Sequence, residues 1–214
     1  MQVLFVNDTP PPPPFSLLNN CTLQWLQQAP DADAGAAADL VIDWSVEEQP
    51  QRIDAYRHTT RPVILGLVQF TLHELALTHL PIARMNHWPG FGERNLIELA
   101  LPNTNTTFPL EQLQSLNLPV TLVPDVVGFV STRIVAGIIN EACFTWGEGV
   151  STPAEIDTAM RLGTNYPRGP FEWLKTIGAA RVLLLLQRLA LTDLRYTPAP
   201  QLQQIAQHGI TADY

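Results

Sequence analysis

The first half of the chain alternates short apolar runs with segments of helical periodicity. The apolar runs predict strands, and they are Val3–Val6, Asp39–Asp43, Pro62–Leu67, Ile82–Met85, Asn95–Leu101 and Val120–Val123. The segments between them predict helices, and they are Phe15–Gln28, Glu47–Arg57, Thr71–Leu77 and Leu110–Leu116. Strands that alternate with helices indicate an α/β sheet.

Two segments of this half have no regular periodicity. Five consecutive prolines, Pro10–Pro14, follow the first strand and predict a stiff loop, because proline has no N–H and favours the extended form. The prolines also leave open a docking site for a proline-binding domain. Asp31–Ala38 is composed mainly of small residues and is interpreted as a linker.

The second half of the chain has the periodicity of helices throughout. A long amphipathic helix is predicted over Val126–Trp146, and glycines follow it. Thr152, Pro153 and Glu155 form a helix start of the capping-box type, for a helix that runs to Leu162. Two more helices are predicted over Phe171–Ile177 and Ala180–Leu191. The chain is therefore expected to contain an α/β domain, residues 1–123, and an all-helical domain, residues 124–214.

Composition narrows the classes of function. The chain has 214 residues, is 46% hydrophobic and carries a net charge of −8, which suits a folded protein and disfavours a nucleic-acid partner. An anionic ligand such as coenzyme A is not excluded. Cys21 and Cys143 are expected to be reduced thiols, with a disulfide as the alternative. The sequence shows neither a basic leader nor an apolar run long enough to span a bilayer, so a cytoplasmic protein with no membrane partner is expected.

Several motifs of the second half resemble a known family in order and spacing. The segment 123–134 reads VPDVVGFVSTRI, and it is similar to the D-x-P-G-F-x-x-N-R-I junction of the 3-hydroxyacyl-CoA dehydrogenases. Asn140-Glu141-Ala142, Gly147–Val150, Ile156–Met160 and Tyr166–Glu172 also match, and Tyr196–Pro200 resembles the family's closing Y-x-P-x-P. The upstream resemblance is weaker. Asp39–Asp43 resembles the family's A-D-L-V-I-E strand, Leu96–Leu99 resembles L-V-E-V, and Met85–Pro89 lies where the family has M-H-F-F-N-P.

The resemblance implies a fold of two parts. We expect a reduced Rossmann-like α/β domain followed by a helical domain of the type found at the C-terminus of 6-phosphogluconate dehydrogenase. The family implies fatty-acid metabolism, an acyl-CoA ligand, NAD as cofactor and a dimer formed by the helical domain. The predicted helices Val126–Trp146 and Ala180–Leu191 are apolar over much of their surface, so a homodimer is expected.

The turn after the first strand departs from the family. A dinucleotide fold needs glycines there, because the backbone N–H groups must approach the pyrophosphate. In this chain the first glycine is Gly35, and Pro10–Pro14 occupy the turn. We therefore expect no cofactor-binding residues and no bound NAD. His73, Glu74 and His79 have no metal-like spacing, and no metal is expected.

The catalytic pair implied by the resemblance is also altered. The family uses a histidine as general base, oriented by a glutamate that corresponds to Glu98. Counting back from Glu98 at the family's spacing leads to Asn86, and His87 could act with Glu98 only if a one-residue bulge turned it inward. Thr71 falls in the segment that holds the family's substrate serine, and Thr132 replaces the asparagine of N-R-I.

Two hypotheses follow from these residues. The first is a non-catalytic acyl-CoA-binding or assembly protein descended from the enzyme, and the second is a divergent active dehydrogenase. The candidate catalytic residues are Glu98 and His87, and the candidate substrate-binding residues are Asn86, Thr71 and Thr132.

Overall fold

A seven-stranded sheet is the centre of the first half of the molecule. The structure, a computed structural model, describes residues 1–28, 38–91, 96–102 and 108–209. The strands are β1 Gln2–Val6, β2 Thr22–Leu26, β3 Leu40–Asp43, β4 Val63–Gly66, β5 Ile82–Met85, β6 Ile97–Ala100 and β7 Val120–Val123. Their order is β2-β1-β3-β4-β5-β6-β7, and only the β5–β6 pair is antiparallel. This Rossmann-like sheet confirms the fold class expected from the sequence.

Both faces of the sheet are buried, because alternate residues of the central strands enter two separate cores. Phe5 and Ile42 pack on one face, and Leu4 and Val41 pack on the other. Central strands of this kind have near-continuous apolar runs, as expected for a parallel sheet covered on both sides. The helix α1, Leu110–Ser115, contributes Leu113 to the first of these cores.

The prediction of a helix over Phe15–Gln28 is wrong. Phe15–Leu17 form one turn of 3₁₀ helix, and β2 then pairs with β1 in parallel register from Gln2 opposite Thr22 to Val6 opposite Leu26. The edge of the sheet offered Thr22–Leu26 a complete row of backbone partners, which overrode the weak helical pattern.

The other elements of this half differ from prediction mainly in helical type. Glu47–Arg57 contains a 3₁₀ helix, Pro50–Tyr56, and Thr71–Leu77 consists of turns. The predicted strand Asn95–Leu101 is β6, and Asn95 itself lies outside the described residues, as does most of the linker Asp31–Ala38.

The second half is helical, as predicted. Its helices are α2 Val130–Gly147, α3 Pro153–Thr164, α4 Pro170–Ile177, α5 Ala179–Ala190 and α6 Pro200–His208, with a 3₁₀ turn at Leu194–Tyr196. The capping box at the start of α3 is confirmed, because Thr152 and Glu155 each bond the other's backbone N–H. The helix α2 begins four residues later than predicted, because Gly128 has a φ of 65°. The sequence analysis missed α6.

Contacts divide the chain into two compact units, Met1–Phe129 and Val130–Tyr214. Among the described residues, no helix has both the length and the apolar character that a membrane-spanning segment needs. Cys21 and Cys143 are both free thiols. Burial raises the pKa of Cys143 to about 12.

Candidate functional site

Polar side chains gather at one edge of the sheet, where three parallel strands end. The strands β3, β4 and β5 run in the same direction, so the residues that follow Asp43, Gly66 and Met85 lie at a common carboxyl edge. Open α/β sheets bind their ligands at this edge. The candidate residues Thr71, Asn86 and His87 all lie in segments that follow these strand ends.

Asn86 and Glu98 form a buried pair across the antiparallel strands. Asn86 lies opposite Glu98, and its backbone N–H donates to the Glu98 carbonyl at 3.2 Å. The Asn86 side-chain Nδ2 donates to Glu98 Oε2, also at 3.2 Å. The amide oxygen of Asn86 accepts from the backbone N–H of Trp88. The position that the resemblance assigns to a general base therefore holds an amide, which cannot accept a proton near neutral pH.

His87 faces away from that pair. Its Nε2 lies 3.3 Å from Glu48 Oε1 and 3.8 Å from Glu47 Oε2, and the side chain is 3% exposed. Adjacent residues of an extended strand point to opposite faces, which explains why Asn86 meets Glu98 and His87 meets Glu47 and Glu48. No bulge turns His87 towards Glu98.

Glu47 is held in a fixed position. Its Oε1 accepts from the backbone N–H groups of Val68 and Gln69, at 2.7 and 2.6 Å. Its Oε2 accepts from Trp88 Nε1 at 3.2 Å. Three donors satisfy this carboxylate, so it can remain in a largely buried place.

The two candidate threonines lie apart from these pairs. Thr71 is buried, and its N–H and hydroxyl both bond Glu74 Oε2, so it caps its own turn. Thr132 is fully buried within α2, in the helical unit.

An ion-pair network, buried except at Asp8, occupies the carboxyl ends of β1, β2 and β3. Arg52 donates to Asp8, to Ser45 Oγ and to the carbonyl of Gln27, and its NH1 lies 3.5 Å from Asp43. Tyr56 donates its hydroxyl to Asp43 at 2.8 Å. Burial raises the pKa of Asp43, although the Tyr56 hydroxyl and Arg52 oppose the shift. Burial and the Asp43 charge raise the pKa of Tyr56.

A second buried ion pair holds the segment that ends the first unit. Arg84 Nε donates to Asp125 Oδ1 at 2.5 Å, and both side chains are at most 3% exposed. Arg84 also donates to the carbonyls of Leu67 and Val126 and lies over the ring of Phe129. Burial lowers the pKa of Arg84, and the bond to Asp125 opposes the shift.

The first turn does not fit the usual cradle for a dinucleotide. The connection from β1 to β2 carries Pro10–Pro14 in place of glycines, and the 3₁₀ turn Phe15–Leu17 is too short to present a helix N-terminus to a pyrophosphate. Arg52 is the cation nearest to these strand ends in the network above, and Asp8, Asp43 and Ser45 already bind it. A dinucleotide would have to be held here by groups other than a glycine loop.

Sequence reasoning missed most of the acidic and basic residues of this edge. Glu47 and Glu48 were interpreted only as part of a helix, and Arg52, Arg84 and Asp125 had no assigned role. The available signal was position, because polar residues directly after a buried parallel strand fall at the carboxyl edge.

Comparison with known proteins gives consistent relatives. Residues 128–212 match the model of the 3-hydroxyacyl-CoA dehydrogenase C-terminal domain. A 3-hydroxybutyryl-CoA dehydrogenase of Bradyrhizobium diazoefficiens is 30% identical over 190 residues, which are 81% of this chain and 64% of that protein. The 3-hydroxyadipyl-CoA dehydrogenase of Escherichia coli K12 is 40% identical over 107 residues, which are 49% of this chain and 22% of that protein.

A solved structure extends the likeness to both halves of the chain. The (S)-3-hydroxybutyryl-CoA dehydrogenase of Ralstonia eutropha superposes with a TM-score of 0.67 at 26% identity, covering 88% of this chain and 70% of that chain. Against the two curated relatives above, the chain spans 22% and 64% of their length.

These findings correct one expectation from the sequence. Members of the matched family are NAD-dependent dehydrogenases, so the expectation that no cofactor is involved is wrong. The absence of glycines from the first turn concerns how a dinucleotide could be held. It is not evidence that the family's reaction proceeds without NAD.

Proposed function

The chain belongs to the 3-hydroxyacyl-CoA dehydrogenase family, and on that premise we propose that it binds acyl-CoA thioesters while its own turnover of them is weak. The observation that carries the proposal is the Asn86–Glu98 pair. Glu98 remains in a place where it could orient a base, but its partner is an amide. A general base typically raises the rate about 10²–10⁴-fold, so a protein with an amide in this position is expected to lack most of that rate enhancement.

Calorimetric titration with acetoacetyl-CoA tests the ligand class. We expect saturable binding with a dissociation constant in the micromolar range. A dissociation constant of about 1 μM corresponds to a binding free energy of about −8 kcal/mol. Free coenzyme A serves as the control for recognition of the nucleotide part alone. Absence of binding by acetoacetyl-CoA up to millimolar concentration would contradict the proposal.

A second candidate function is an active, divergent dehydrogenase that uses His87 and Glu98. Both residues are buried near the carboxyl edge, but Asn86 contacts Glu98 while His87 contacts Glu47 and Glu48 on the opposite face, so the two would have to act without direct contact. In that case His87→Ala and Glu98→Ala should each lower turnover of acetoacetyl-CoA with NADH by about a hundredfold. Activity that survives both changes would exclude this pair as the working one.

The helical unit supports a further part of the proposal, a homodimer formed through α2. Val130 and Ile134 on this helix are each 54% exposed, although the opposite face of α2 is buried. The same helix lines a groove of about 560 Å³ together with Leu186 of α5 and Tyr196. Exposed apolar residues along one helix are typical of a surface covered by a second subunit. We expect an interface of more than about 2,000 Å².

A further inference from the structure

The strand β2 forms one of the two edges of the sheet. It pairs in parallel with β1, and no strand among the described residues pairs with its other side. An edge strand presents a row of backbone N–H and C=O groups to other chains, and natural proteins protect such edges with charges, prolines or short strands. The two edges of this sheet differ in that protection.

The opposite edge, β7, is short and is enclosed by prolines. It has four residues, with Pro119 directly before it and Pro124 directly after it. Because proline has no N–H to donate, a strand added beside β7 would lose backbone hydrogen bonds at both ends. This edge is therefore a poor template for a further strand.

The edge at β2 lacks this protection. The strand has five residues, and no proline lies between Phe15 and Gln28. Every residue from Thr9 to Gln28 is uncharged, and the Trp25 side chain is 40% exposed. In a protein with a net charge of −8, an uncharged strand is a place where a second copy meets no like charge in the strand itself.

The hydrogen bonds to β1 show which residues of β2 face inward. The N–H of Thr22 donates to the Met1 carbonyl at 2.9 Å, and the N–H of Asn7 donates to the Leu26 carbonyl at 3.0 Å. Successive residues of a strand direct their backbone groups to opposite sides, so the even-numbered residues of β2 are bonded to β1.

The odd-numbered residues of β2 consequently face outward. Leu23 and Trp25 direct their N–H and C=O groups away from β1, and no backbone or side-chain group elsewhere in the described ranges bonds them. The edge thus offers two donors and two acceptors, two residues apart along the strand.

This arrangement is complementary to itself. When two copies of β2 run antiparallel about a twofold axis at Gln24, Leu23 of each copy lies opposite Trp25 of the other. Each of these two residue pairs exchanges two backbone hydrogen bonds, which satisfies all the outward groups. Leu23 and Trp25 lie on the same face of the sheet, so each indole also packs against a leucine of the second copy.

We propose that β2 pairs in this antiparallel register with β2 of a second copy of the chain. The inference goes beyond the proposed function, and its surface is separate from the α2 face, because β2 belongs to the first unit and α2 to the second. One pair of strands buries much less than the roughly 1,600 Å² of a standard interface. The pairing is therefore expected at roughly a few hundred micromolar protein and not at low micromolar concentration.

Sedimentation equilibrium over a series of protein concentrations tests the pairing. The weight-average mass of the wild-type protein should at least double between low micromolar and a few hundred micromolar. Gln24→Lys places like charges opposite each other at the axis, so this variant should keep its low-micromolar mass. Thr121→Lys adds the same charge at an exposed residue of β7, and this matched control should associate like the wild-type protein.

A mixture of two variants separates loss of pairing from loss of folding. Gln24→Glu alone should also fail to associate, because two carboxylates then meet at the axis. An equimolar mixture of Gln24→Lys and Gln24→Glu places opposite charges there and should regain the increase in mass. A mixture that stays at the low-micromolar mass would overturn the proposed register.

The other results are equally decisive. A wild-type mass that is independent of concentration overturns the inference, and so does association that survives Gln24→Lys. Loss of association in Thr121→Lys also overturns it, because β7 would then be the edge that takes the second strand. None of these results bears on acyl-CoA binding.

Amide hydrogen exchange locates the contact without any substitution. The N–H groups of Leu23 and Trp25 should exchange severalfold more slowly at a few hundred micromolar than at low micromolar concentration. The N–H of Gln24 is already bonded to β1 and should exchange at the same rate in both. Unchanged exchange at Leu23 and Trp25 would place any association on another surface and overturn the inference.

Discussion

Removing one partner of the buried Arg84–Asp125 pair is expected to be among the most destabilising single substitutions in the first unit. Asp125→Ala removes a carboxylate that is 3% exposed and leaves a guanidinium that is 0% exposed without its anionic partner. The backbone N–H groups of Leu72 and His73 also lose their acceptor. Breaking a buried pair from one side costs about 3–5 kcal/mol.

Asp54→Ala is the matched control. Asp54 forms an ion pair with Arg57 at 2.8 Å, but the two side chains are 76% and 45% exposed. Exposed pairs contribute about 0–1 kcal/mol, because water and salt screen them. Each variant therefore removes an aspartate carboxylate from its arginine partner, in a buried pair for Asp125→Ala and in an exposed pair for Asp54→Ala.

Urea unfolding followed by tryptophan fluorescence measures both changes, since Trp44 and Trp88 lie in the first unit. With a slope of about 2 kcal/mol/M, Asp125→Ala should lower the midpoint of that unit's transition by roughly 2 M, and Asp54→Ala by less than about 0.5 M. The double variant Arg84→Met with Asp125→Leu should recover part of the loss, because it leaves no charge buried alone. Equal midpoints for Asp125→Ala and Asp54→Ala would refute the reasoning.

Three further predictions concern the pH response, the helical unit and assembly. Because burial raises the pKa of Asp43 above its ordinary value of 3.8, the folded state keeps a proton that the unfolded state releases. The contribution of Asp43 to the free energy of unfolding should therefore fall as pH rises from about 4, and urea midpoints of Asp43→Asn should fall less steeply than those of the wild-type protein; a steeper fall would contradict this. Asp157 accepts from the N–H groups of Phe171 and Glu172, so Asp157→Ala should cost about 1–3 kcal/mol in thermal unfolding, and an unchanged midpoint would contradict that role. Light scattering at low micromolar concentration should give the mass of a dimer and Ile134→Glu that of a monomer, whereas a monomeric wild-type protein would contradict the proposed interface.

The sequence was most informative where one local rule was sufficient. The strands Ile82–Met85 and Val120–Val123 were predicted to the residue, because buried parallel strands are short apolar runs between polar boundaries. The capping box at Thr152 and Glu155 is equally local. The segment Thr22–Leu26 failed because its partner strand lies twenty residues upstream, and no local pattern reports a free sheet edge.

The candidate site shows the same division between local and distant information. Counting back from Glu98 at the family's spacing placed Asn86 rather than His87 at the position of the base, and the structure has Asn86 against Glu98. The partners of His87 could not be predicted in this way. Glu48 comes from the segment after β3, which reaches His87 only through the order of strands in the sheet.

The central claim is that Asn86 has replaced the general base, and the rate of acetoacetyl-CoA reduction tests it most directly. We compare the wild-type protein with Asn86→His, which restores an imidazole beside Glu98, and with Asn86→Gln, which keeps an amide. With saturating acetoacetyl-CoA and NADH, the account predicts that Asn86→His exceeds both other proteins by about a hundredfold in kcat. A wild-type rate equal to that of Asn86→His would contradict it.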